Sequence, residues 1–305
     1  MSAADGAAQR DETRRGTLYG AAAYGIWGAF PLYFHALKPA GPFEILAHRI
    51  LWSFLFCAAI LLLRRDLAWL RSLLADRRRM GVVTAAGILL AINWVVYVLA
   101  VLSGRTYEAA LGYFINPLVT VALGVVLLGE RLRPLQQAAL AVGAIAATYL
   151  VVAGGIFPWI SITLALSFGL YGLLKKRLGV SMDALHSLTA ETVALVPVAV
   201  IVLVLVARRG ELTFGSAGVP HALALASAGV VTAIPLLLFA AAARRVPLVT
   251  IGLLQFATPL LQLLAGVLIL REHVSPALWV GFAIVWVALA ILATDMVRQS
   301  RSARA

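Results

Sequence analysis

The sequence predicts an all-α integral membrane protein of ten transmembrane helices, arranged as two five-helix inverted repeats. Three observations predict it. Of 305 residues, 62% are hydrophobic and only 12% are charged, with a mean hydropathy of +0.97, whereas soluble proteins are about one quarter charged. A chain of this size has too little interior to hide so much apolar surface, and large exposed apolar patches drive association in water. Basic residues are gathered in short runs between long apolar segments, and the two halves echo one another at an offset of 142 residues. Composition therefore excludes a water-soluble enzyme and a disordered chain. The net charge of +12, which elsewhere would suggest a nucleic-acid partner, is spent on these flanking runs, so no nucleic-acid partner is expected.

A bilayer core is crossed by about 20 apolar residues in helical form. Spans are expected at 17–37, 42–63, 80–102, 105–128, 135–153, 156–175, 182–206, 219–243, 247–270 and 277–297. The fifth and sixth are separated only by Gly154-Gly155, followed by Pro158. Residues 1–16 carry both signs of charge and precede a full-length span, so they read as a cytoplasmic tail and not a cleaved leader. Residues 17–153 form the first repeat, 154–297 the second, and 298–305 a C-terminal tail. Residues 66–76 have an apolar stripe with basic flanks and are expected to lie as a short helix on the membrane surface. With the N-terminus inside, nineteen Lys and Arg residues fall on the cytoplasmic side, Lys175, Lys176 and Arg177 among them; five fall outside, and Arg49 alone lies within a span. This excess places both termini in the cytoplasm.

The repeat is carried by residues that chance does not readily align. Phe114 matches Phe256, Pro117 matches Pro259, Gly124-Val125 matches Gly266-Val267, Glu130 matches Glu272 and Pro134 matches Pro276. Five spans per half is an odd number, so the second half enters the membrane from the opposite side, as in many secondary transporters. Two like units of opposite orientation can exchange conformations and so open a central site to either face.

Each half has an Asn-Pro or Thr-Pro helix running into Gly129-Glu130-Arg131-Leu132-Arg133-Pro134 or Leu270-Arg271-Glu272-His273-Val274-Ser275-Pro276. These segments resemble the EamA repeats of the drug/metabolite transporter superfamily. Tyr24-Gly25-Ile26-Trp27-Gly28, the run from Glu44 to Ser53, Ala91-Ile92-Asn93-Trp94 and Gly112 to Pro117 resemble its RarD-type members. The likeness covers roughly residues 16–297. It implies a multi-pass transporter of a bacterial inner membrane and no particular substrate.

Candidate transport residues follow from what a bilayer makes expensive. Proline removes a helical hydrogen bond, and matched breaks in two halves mark binding sites, so Pro117 and Pro259 are expected as hinges. Tyr113 and Asn116 share a helix face, as do Asn93 and Tyr97, with Trp94 adjacent. Tyr24 and Trp27 on the first span, and Tyr171, Gln255, Thr258 and Gln262 in the second half, complete a cavity of aromatic walls and amide groups, because an amide facing lipid is costly. Helix-to-helix hydrogen bonding is the structural alternative for each residue.

Arg49 lies about 10 Å into its span at 1.5 Å per residue, where a charge costs roughly 2.5–3.5 kcal/mol to insert. Glu191 is its equivalent in the second half at the same offset of 142, and the two are candidates to pair across the bundle. His48, four residues from Glu44, is a candidate proton relay. Glu130 is expected to fix a loop, and Glu108 and Glu272 to sit near the outer ends of their spans. Ala21, Gly25, Ala29 and Ala139, Gly143, Ala147 are spaced for close helix packing.

No phosphate-binding loop, metal-spaced cluster or nucleophile elbow is present in the sequence, so no cofactor or metal is expected. The one cysteine, Cys57, permits no internal disulfide. The expectation is a non-enzymatic secondary transporter of a small amphipathic organic molecule, exporting by alternating access, with membrane lipid as its other partner and its oligomeric state, monomer or dimer, left open. An integral-membrane enzyme, or a channel or scaffold, is the alternative. Saturable flux with counterflow separates a carrier from both.

Overall fold

The computed structural model describes residues 3–102, 106–154, 159–178, 182–269 and 276–302, all helices and their connections with no strand among them. Arg105, Gly155, Pro158, Arg271 and Glu272 lie outside the described residues, as do the side chains of Glu108, Pro259 and Gln262.

A helix satisfies every backbone group within its own segment, which is what an apolar surrounding requires. The chain forms α1 (Ala3–Gly28), α2 (Phe30–Ala36), α3 (Pro42–Leu63), α4 (Ala68–Ala75), α5 (Arg77–Leu102), α6 (Thr106–Leu128) and α7 (Pro134–Gly154). It continues with α8 (Trp159–Leu178), α9 (Ala184–Arg208), α10 (Val219–Arg245), α11 (Leu248–Gln255), α12 (Ala257–Leu264), a π-helical turn (Ala265–Ile269) and α13 (Pro276–Ser302). Within these, Pro42–Leu63, Arg77–Tyr97, Ala184–Arg208 and Val219–Arg245 are long and apolar enough to cross a membrane. Only 33–44% of their most apolar windows is buried against protein, and Leu63, Val126, Val152, Ile201 and Leu268 stand exposed. Such an outer surface is stable against hydrocarbon, not water.

Three local outcomes depart from the sequence reading. α1 begins at Ala3, so the expected tail is mostly helix; Glu12 pairs with Arg245 at 2.9 Å and Gly16 packs against the same residue. The first expected span is broken at Ala29, because Pro31 stands in the first turn of α2, where its ring would clash with a carbonyl four residues back. The ninth is broken at Phe256, three residues before Pro259. In contrast α6 runs unbroken through Pro117.

α1 packs on α10, α3 on α9 and α10, α5 on α8 and α9, α6 on α8 and α11, α7 on α13, and α12 on α1. The largest core cluster joins α1, α3, α5, α8, α9 and α10; a second joins α6, α7, α11 and their neighbours. At the α3–α10 crossing, Gly229 is pressed so close that a Cβ there would stand 2.2 Å from the carbonyl carbon of Trp52. Ser53 donates to the Gly229 carbonyl at 3.0 Å. α4 forms where the interfacial helix was expected, with Leu73 buried and Leu67, Leu70 and Leu74 exposed beside it.

Candidate binding site

Arg49 is the centre of the site. It sits two turns into α3 and reaches toward α2, α5 and α10. Its guanidinium carbon lies 5.6 Å from the Phe30 ring centre, 5.2 Å from Phe34 and 5.0 Å from Trp94. Its Nε donates to Thr232 Oγ1 at 2.9 Å. The rings of Tyr97 and Tyr113 pack against one another, tilted, with centres 6.1 Å apart. Cations over aromatic faces gain about 0.5–2 kcal/mol each, which offsets part of the cost of holding this charge inside.

Glu191 does not pair with Arg49. Its Oε1 lies 2.8 Å from Lys175 Nζ, Ser187 Oγ donates to the same oxygen at 2.7 Å, and Tyr171 donates to Oε2 at 3.2 Å. Lys175 also bonds Ser187. All four side chains are sealed from solvent. Lys175, counted from the sequence only as a flanking charge, is carried inward by α8 to the carboxylate. A buried carboxylate on α9 needs a partner, and a lysine ending the preceding span was the available signal.

Tyr24, Trp27, Phe168, Tyr171 and Phe239 form one aromatic cluster of mostly tilted and edge-on rings. Tyr24 packs on Trp27 at 5.4 Å, Trp27 on Phe168 at 5.6 Å, and Tyr171 is stacked on Phe239 at 5.9 Å. Phe168 and Phe239 join these rings and were not singled out from the sequence.

Several amide and hydroxyl residues hold helices together. Asn93 donates to the Leu164 carbonyl and to Ser167 Oγ, both at 3.0 Å, tying α5 to α8. The Thr120 hydroxyl lies 3.3 Å from Asn116 Oδ1 and 3.1 Å from Gln255 Oε1, joining α6 to α11. Thr258 donates to the Tyr24 carbonyl at 3.2 Å. These three sites bridge the halves at the level of the aromatic cluster.

His48 is buried and accepts the Trp52 indole N–H at Nδ1, 3.1 Å away, while its ring lies 4.7 Å from that of Phe214. Glu44, fully buried, accepts the backbone N–H groups of Thr213 and Phe214 at 2.8–3.1 Å and the Thr213 hydroxyl at 2.8 Å. The histidine thus stands behind a loop strapped onto α3. Glu130 fixes a loop as expected, and more: its two oxygens accept the N–H groups of Leu248 and Val249, both at 2.7 Å, capping α11 of the opposite half. Among the described residues no group of three His, Cys, Asp or Glu could hold a metal ion.

The EamA-like transporter family profile matches the chain twice, over residues 14–153 and 157–294. Protein RarD of Streptomyces exfoliatus is 46% identical over 295 residues, covering 97% of this chain and 93% of its own. An uncharacterized transporter of Pseudomonas aeruginosa is 44% identical over 290 residues, covering 94% and 96%. A solved crystal structure shares the fold with a TM-score of 0.69 at 22% identity, over 90% of this chain and 96% of its own. The protein is a multi-pass membrane protein belonging to the EamA-like transporter family.

Proposed function

We propose that the chain is a secondary transporter of ten transmembrane helices in two inverted halves, with both termini cytoplasmic, which exports a small amphipathic organic molecule by alternating access. The observation that carries this reading is the reciprocity of helix contacts. Exchange α1 with α8, α3 with α9, α5 with α10, α6 with α11–α12, and α7 with α13. The α1–α10 pairing then becomes α8–α5, α3–α10 becomes α9–α5, and α6–α8 becomes α12–α1; all of these occur. The α3–α9, α6–α11 and α7–α13 pairings map onto themselves and would line the axis. The double match of the family profile supports the same division.

Such a two-fold bundle has a seam that can open on either side while its site stays in place. On this reading Arg49 and the aromatic cluster would line that seam, and they suit an amphipathic guest. No bound nucleotide or redox group is needed for this motion.

The test is two-sided accessibility. In a Cys57→Ser background, single cysteines on the loop after α6 and on the loop after α9 are labelled in oriented vesicles with an impermeant maleimide. The reading expects opposite faces, and proteoliposomes expect saturable flux with counterflow. Both loops on one face, or flux linear in concentration, would overturn it.

A further inference from the structure

The aromatic box around Arg49 is an anion site, and we infer that the transported molecule is an organic monoanion: a carboxylate carried on a planar apolar body. This rests on the transporter reading and names its substrate class.

A guanidinium presents five N–H donors in a rigid plane. At Arg49 only the Nε–H is engaged, by Thr232. Among the described residues the terminal nitrogens have no acceptor, and no carboxylate stands within ion-pair distance. Those nitrogens are also not among the sealed, unpartnered polar atoms, and Arg49 keeps partial exposure. Among the described residues the terminal N–H groups of the fork are thus left without a partner.

The acidic side chains that could have neutralised it are committed elsewhere. Glu44 is saturated by the N–H groups of Thr213 and Phe214. Glu191, the repeat counterpart of Arg49, is neutralised by Lys175. Arg49 thus has no carboxylate beside it, whereas its repeat counterpart Glu191 is paired.

Two parallel N–H groups match the two oxygens of a carboxylate in a geometry that neither an ammonium nor an amide presents. Phe30, Phe34 and Trp94 at 5.0–5.6 Å, with Tyr97 and Tyr113 beside them, give apolar contact to what lies behind the carboxylate. An aromatic or compact aliphatic acid fits this description; a cation meets a like charge.

The purified full chain is tested by thermal shift with benzoate, benzamide, benzylamine and chloride, at matched ionic strength. Benzoate is expected to raise the melting temperature saturably, with the amide, amine and chloride at least tenfold weaker. Arg49→Gln keeps a side-chain amide N–H that can replace the guanidinium as donor to Thr232, and it is expected to fold, with its unliganded melting temperature as the check, and to lose the benzoate response at least tenfold. Arg49→Lys, which keeps the charge but not the fork, should retain a weakened response.

Equal binding of benzamide or benzylamine, an effect reproduced by chloride, an unchanged response in Arg49→Gln, or silence toward benzoate would each overturn the inference. Saturable counterflow of the amine or amide would overturn it while leaving the carrier reading intact, whereas loss of two-sided accessibility removes the carrier reading itself.

Discussion

Lys175 and Glu191 form an ion pair at 2.8 Å, closed off from solvent and completed by Ser187 and Tyr171. Breaking such a pair from one side costs about 3–5 kcal/mol, because the surviving charge is left uncompensated, whereas an apolar pair of like volume is close to neutral. Glu191→Gln and Lys175→Met are each expected to destabilise by that order. The double change Lys175→Met with Glu191→Leu should recover most of the loss. Unfolding midpoints in one detergent measure all three; a double variant as unstable as the sum of the singles would show that the pair does not act as a unit.

Glu44 straps the loop between α9 and α10 onto α3 through two backbone N–H groups and one hydroxyl. Hydrogen bonds to a charged group contribute about 1.5–3 kcal/mol. Glu44→Gln is expected to speed amide exchange across residues 209–218 roughly tenfold or more, at about 1.4 kcal/mol per decade, while peptides of α5 stay protected. Mass-spectrometric exchange reads this directly, and uniform protection in both proteins would mean that other contacts hold the loop.

Glu130 caps α11 from across the seam. The first N–H groups of a helix have no partner within it, and losing a capping side chain costs about 0.5–2 kcal/mol. Glu130→Ala should lower stability by that amount and expose the amides of Leu248 and Val249 to exchange. Glu130→Gln, which keeps one acceptor oxygen, should fall between the two.

Gly229 and Gly25 are both helical glycines with opposite surroundings. A Cβ at Gly229 collides with the Trp52 backbone, which no rotamer change can move, while at Gly25 nothing lies within 4 Å. Gly229→Ala should destabilise by about 1–3 kcal/mol through forced separation of α3 and α10. Gly25→Ala should gain about 0.5–1 kcal/mol from backbone entropy. Melting curves of the two variants are expected to move in opposite directions.

Helices were legible where an apolar run has a length that hydrocarbon sets and charge marks its ends, as in Pro42–Leu63 and Ala184–Arg208. Shape within a run was not. Pro117 and Pro259 occupy matching positions, yet α6 continues through the first while the chain breaks at Phe256 before the second; tertiary packing decides which proline is tolerated. Small-residue spacing placed Gly25 and Gly143 in one class, although only Gly143 meets a close neighbour, the Phe256 ring. Of the site, Trp94 was singled out as a cavity wall and Arg49 as a partner for Glu191; that the two stand against each other was not legible in either spacing. The strap on Glu44 was invisible, since its acceptor joins backbone N–H groups about 170 positions away that carry no side-chain signature. The pairing of Lys175 with Glu191 was not legible, because charge counting assigns a residue to a side without asking whether the helix turns it inward.

An α6 that continues through Pro117, set against a counterpart that breaks at Phe256, makes the molecule lopsided in a way its two family-profile matches are not. Under the exchange of halves proposed above, the unseen posture is already written in the seen one: the rod near Asn116 would crease, and the crease at Phe256 would heal. Each half would then take the other's shape at the far end of the cycle, with the two prolines taking turns.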